Sequence, residues 1–131
     1  MGAAAYVRRH ATVLRQQADA GGLHILNFDG VGVDGDLFYD PHGRTHPGRL
    51  ASLVQEAGAE LRLPLRRFWP MGVLLDHLPF AWHDFDAVTL LAIGRATLSV
   101  HTPADSVDKL HVHGFEQAGR VAWRVIDKLA G

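Results

Sequence analysis

The run "AVTLLAIG", residues 87–94, limits what this chain can fold into more than any other stretch. It is short and almost wholly apolar, which suits a strand whose sheet is covered by helices on both faces. "LHILNFD", residues 23–29, has the same character and follows a helical pattern directly. In that pattern Val7, Ala11, Leu14 and Ala18 recur at steps of four, three and four, while Arg8, Arg9, Arg15 and Gln16 take the opposite face. Gly21-Gly22 then stops the helix. Buried strands alternating with amphipathic helices predict an α/β domain with a mainly parallel sheet.

The remaining segments fit around that frame. Residues 30–45, rich in glycine and aspartate, predict a long loop beyond the first strand, where open α/β sheets place ligands. Pro47 suits the first turn of a second helix, whose apolar stripe is Leu50, Leu53, Val54 and Ala57. "LPLRRFWP" reads as a weak strand or connector, and "MGVLLDHLPFAW" as a short helix or turn cut by Pro79. "TLSV", residues 97–100, is a short strand or a loop. A long helix is expected from about Ser106 to Ala130, with Asp105 or Ser106 as its cap and Phe115, Ala118, Ala122, Val125 and Leu129 facing inward.

At 131 residues the chain makes one domain, 1–131, with a real core. A net charge of −1 gives no electrostatic case for nucleic acid or an anionic membrane. No apolar run approaches the roughly 18 residues of a membrane span, and the start lacks the apolar region of a signal peptide. A cytoplasmic location is therefore the default expectation. The absence of Cys removes disulfides, thiolate nucleophiles and thiolate zinc sites. With nine histidines in the chain, any transition-metal site must draw on His, Asp or Glu.

Several residues are placed for chemistry. Asp29 ends the first strand beside a Gly-Val-Gly turn, where a carboxylate binds a cation, orients a catalytic group or caps the turn. "GVGVDG" is not a phosphate loop, because its spacing fails and no helix follows. His101 precedes a rigid Thr102-Pro103 turn. Asp76 and His77 form a charged pair inside apolar sequence, either a satisfied half-buried bond or a carboxylate fixing an imidazole tautomer. His111 and His113 have the spacing of a chelate, but at a helix start their side chains point apart. His24 suits a packed position with one hydrogen bond, and His10, His42, His46 and His83 suit the surface.

Three of these elements, in this order and spacing, resemble the C-terminal half of the co-catalytic zinc exopeptidases. They are "HILNFDGVG", "LLDHLPFAWHDFDAVTLLAIG" and "VHTPADSVDKLHVHGFEQAGRVAWRVIDKLA". That group takes in aminopeptidases and glutamate carboxypeptidase and glutaminyl cyclase relatives (peptidase family M twenty-eight). The resemblance implies a three-layer α/β sandwich whose N-terminal strands lie outside this stretch. It also implies that Asp29 binds one of two zinc ions and His101 the other, and that Asp76 and His77 lie near the substrate pocket.

The same resemblance sets limits. The family centre also uses a His-x-Asp pair, whose Asp bridges the two metals, and a Glu-Glu pair that supplies a ligand and the general base. These would precede the first helix here, and Glu56, Glu60 and Glu116 stand singly elsewhere. Val100 occupies a position where many relatives have a Tyr that holds the developing oxyanion. The chain is therefore expected to bind zinc weakly or not at all and to hydrolyse no peptide or aminoacyl substrate alone. A homo-oligomer or a separate N-terminal partner chain is expected to cover its exposed strand edge. The alternative is a non-catalytic assembly or binding module derived from the same fold.

Overall fold

The computed structural model describes residues 2–46, 48–69 and 72–131. Pro47, read above as opening the second helix, lies outside the described residues. Ten elements follow one another: α1 (Gly2–Asp19), β1 (Ile25–Asp29), β2 (Gly35–Asp40), α2 (Arg49–Glu60), β3 (Arg66–Arg67), α3 (Leu78–Trp82), β4 (Ala87–Gly94), 3-10 turns at Arg95–Ser99 and Val107–Lys109, and α4 (Val112–Ala130). The four strands form one mixed sheet in the order β1-β4-β2-β3. β1 runs parallel to β4 and β3 parallel to β2, while β2 runs antiparallel to β4.

β4 is buried along its first six residues, as its composition requires. Val88, Leu90 and Ala92 point to one face and join Leu37 and Tyr39 of β2, Leu50, Leu53, Val54 and Ala57 of α2, and Ala118, Val121 and Val125 of α4 in the main core. On the opposite face Val7 and Leu14 of α1 form a smaller cluster with Phe85, which precedes β4, and Ile25 of β1 and Phe80 of α3 pack against it. Helices on both faces make the three layers. Among the described residues, no helix is long and apolar enough to cross a membrane.

The structure corrects several expectations. Residues 35–40 form β2 rather than loop, because alternation in "GDLFYD" buries Leu37 and Tyr39 against α2 and α4 while Phe38 faces the other side. Pro79 stands in the first turn of α3 and helps start that helix instead of cutting it. α4 begins at Val112, with His111 as N-cap and no side-chain cap. Asp105 instead accepts the backbone N–H of His101 at 3.4 Å, and Ser106 precedes the second 3-10 turn. Phe115 is also about half exposed, and Val121 takes a central place on the inner face of α4.

One carboxylate ties α2 to β4. Asp86, just before β4, accepts the Leu50 N–H at 2.9 Å and contacts His24 Nδ1 at 3.1 Å through the same oxygen. Its other oxygen lies 3.7 Å from Arg44 Nη1. Gly48, the N-cap of α2, passes so close that a Cβ there would fall 1.7 Å from Asp86 Oδ1. Asp86 could yield only by giving up the helix N-terminus. Gly48→Ala is expected to lower stability by about 2 kcal/mol, the cost of overpacking plus a damaged cap, as read from urea unfolding midpoints.

Candidate functional site

Strand register places the candidate residues. Asn27 of β1, Thr89 of β4 and Asp40 of β2 are cross-strand neighbours and so share a face, the one covered by α1 and α3. Two residues along, about 7 Å, come Asp29, Leu91 and Phe38. The first row is enclosed, since Thr89 and Asp40 have no exposed surface. The second row opens on a cleft of about 420 Å³ at the C-terminal ends of β1 and β4.

Asp29 and His101 both border this cleft. Asp29 is exposed at the tip of β1. His101 is also exposed and adopts a left-handed backbone with φ 65°. The turn holding it is tied by Asp105, and by Thr102, whose N–H and Oγ1 both donate to the Ser99 carbonyl, at 3.0 and 2.6 Å. Such a backbone is uncommon for a residue with a side chain and persists only where its surroundings hold it. Apolar walls come from Val33, Phe68, Val73, Leu75, Leu91 and Val100. Apart from Val100, the wall residues went unseen in the sequence because they lie on separate segments that only folding assembles.

The loop after β1 is fixed from α4. The His111 N–H donates to the Gly32 carbonyl at 2.8 Å, and a Cβ on Gly114 would meet the Val31 carbonyl oxygen at 2.3 Å. This close approach packs α4 against residues 31–33, which follow Asp29 and Gly30.

Asp76 and His77 lie apart from the cleft lining. Asp76 is exposed, whereas His77 is fully buried and faces the enclosed row. Its Nε2 lies 3.0 Å from the His42 carbonyl and its Nδ1 2.7 Å from Thr89 Oγ1. A carbonyl only accepts, so Nε2 carries the proton, and Nδ1 accepts from the Thr89 hydroxyl. Asn27 Nδ2 in turn donates to Thr89 Oγ1 at 3.1 Å. These bonds hold the segment that brings Val73 and Leu75 to the cleft. Burial pushes the His77 pKa down, outweighing the opposite pull of the His42 carbonyl and the Asp40 charge.

His42 is partly buried, against the surface position expected of it. Its N–H donates to Asp40 Oδ1 at 2.9 Å, and its Nδ1 bonds the same oxygen. Asp40 Oδ2 and His42 Nε2 are buried with no hydrogen-bond partner among the described residues. Sequence reading missed this pair, although an acid closing an alternating run, followed by Pro41-His42, was the available signal. His24 makes its single bond to Asp86. His111 and His113 are exposed. Glu56 and Glu60 pair with Lys128 and Arg124 across α2 and α4. Those cations hold the Glu60 carboxyl below its ordinary value.

Among the described residues, no group of three or more His, Cys, Asp or Glu side chains converges as a metal site. Zinc in a catalytic site takes about three protein ligands and one open position. One carboxylate and one imidazole do not fit that requirement.

No protein-family model matches the chain, and no curated protein matches it. Two solved structures of BSAP, a zinc aminopeptidase from Bacillus subtilis, do resemble it in fold, with TM-scores of 0.63 and 0.64 at 19% sequence identity. The similarity covers 79% of this chain and 28% of that one. The chain therefore has a zinc-aminopeptidase-like α/β fold and spans less than a third of that protein's length.

The buried imidazole makes stability depend on pH. Its folded pKa lies below the ordinary 6.5, so on acidification the unfolded chain takes up this proton before the folded one does. The stabilisation is complete above about pH 6.5 and is lost as pH falls toward the folded value. Thermal melts between about pH 7 and pH 5 should show a falling midpoint, with a shallower slope for His77→Gln. Equal slopes would remove His77 as the cause.

Proposed function

We propose that this chain forms one side of a zinc-exopeptidase-type centre. In this reading Asp29 supplies a ligand to one zinc ion and His101 to a second. The apolar walls between them receive the side chain of a peptide or aminoacyl substrate. The observation that supports it is the meeting of this acid and this imidazole, from distant parts of the sequence, at one cleft at the C-terminal strand ends. Open α/β sheets bind ligands at such ends.

The described residues supply neither a bridging acid nor a general base at the cleft. A water molecule there would have no group placed to take its proton. In this reading these residues by themselves are inactive, and the missing ligands come from a segment outside this stretch or from a partner chain. β1 forms an edge of the sheet and exposes about half of Phe28, an edge that such a partner would extend.

A second reading, a binding or assembly module without catalysis, is favoured by the absence of a three-ligand group among the described residues. One pair of experiments separates them. With excess zinc and an aminoacyl chromogenic substrate, the chain is expected to show no turnover above the zinc-only blank. Cobalt(II), a paramagnetic stand-in, is expected to broaden the NMR signals around Asp29 and His101 together, and to do so far less in Asp29→Ala or His101→Ala. Turnover above the blank would contradict inactivity. Broadening confined to His111 and His113 would contradict the ligand assignment, and no broadening at the cleft would favour the non-catalytic module.

A further inference from the structure

A second cleft, of about 380 Å³, lies at the other end of the sheet, where the chain leaves β2. Because β2 is antiparallel to β4, its C-terminal end adjoins the N-terminal end of β4. The enclosed row of Asn27, Thr89 and Asp40 therefore separates this cleft from the one bordered by Asp29 and His101. We propose that it binds the phosphate or carboxylate group of a small solute.

The lining contains no acid: the guanidinium groups of Arg44 and Arg67 border it, with the imidazoles of His42 and His46 and the hydroxyls of Thr45 and Ser52 beside them. Arg44 is positioned by Asp84, which accepts from its Nε at 3.1 Å, and by Asp86 at 3.7 Å from Nη1. Those contacts occupy only part of a guanidinium with five N–H donors. Arg67 pairs with no carboxylate among the described residues, and its guanidinium lies over the Trp69 ring at 5.6 Å. His42 is held edge-on to the same indole at 4.9 Å. Asp40, behind it, is fully buried and engaged by the His42 N–H and ring.

An uncompensated guanidinium beside a second, pre-oriented one matches the forked geometry of oxyanions. The cleft volume suits a small solute. Neither property depends on the zinc-exopeptidase reading.

The test is an NMR titration of the full chain with inorganic phosphate and, separately, succinate, each at constant ionic strength to remove general screening. The amide signals of His42, Thr45, His46 and Ser52 should move and saturate, while those of Asp29 and His101 stay in place. Arg67→Gln, at an exposed position, should weaken binding roughly tenfold, the weight of one charge-assisted contact, with an unchanged melting midpoint. Saturation by phosphate alone identifies a phosphoryl ligand, by succinate alone a carboxylate, and by both a general oxyanion site. Linear drift without saturation for both anions would overturn the proposal, as would undiminished, wild-type affinity in both Arg67→Gln and Arg44→Gln.

Discussion

The register between β1 and β4 is the constraint on which the rest depends. With Asn27 opposite Thr89 and Asp29 opposite Leu91, the odd-numbered residues of β1 face α1 and α3. The even-numbered Leu26 packs into the main core instead. Side chains alternate along a strand, so a slip of one residue would turn Asp29 into the apolar layer and Leu26 out of it. Asp29 reaches a cleft because the packing of Leu26 into the core and the burial of the first six residues of β4 leave the register no alternative.

That register gives one face of the sheet two different environments in succession. The inner row is closed and polar, and Thr89 and His77 satisfy each other there. Closed polar rows are costly unless paired, so the bonds from Asn27 through Thr89 and His77 to the His42 carbonyl carry a structural obligation. The outer row opens to solvent between apolar walls, where an acid and an imidazole remain free of protein ion pairs among the described residues. His77 links the rows: it is neutral and buried, and it anchors the segment that supplies Leu75 to the outer wall.

Much of this was readable in the sequence. The apolar run at 87–94, the stripe of Leu50, Leu53, Val54 and Ala57, and the periodicity of α1 mark elements whose burial is set by local pattern. β2 was harder, because its glycine- and aspartate-rich flanks carry turn chemistry and only Leu37, Phe38 and Tyr39 carry the strand. Its antiparallel pairing to β4 is a long-range contact that no local pattern states. Asp29 and His101 could be singled out through family resemblance, but the cleft that both border is a product of tertiary folding. The Asp40–His42 pair and the cationic cleft beside it stayed hidden for the same reason, since Arg67 arrives there on β3.

The fold resembles part of a zinc aminopeptidase, and the described residues bring one acid and one imidazole to the strand-end rim where open α/β sheets bind ligands. Everything proposed about zinc and substrate depends on those two side chains sharing a cleft. Because the chain has no Cys, cross-linking tests this cleanly. In the folded double variant Asp29→Cys/His101→Cys, a short bifunctional maleimide should form an intrachain link in high yield. The control Asp29→Cys/His46→Cys, with its second site at the opposite end of the sheet, should not. A link in the control and none in the first pair would contradict the shared cleft and the centre built on it.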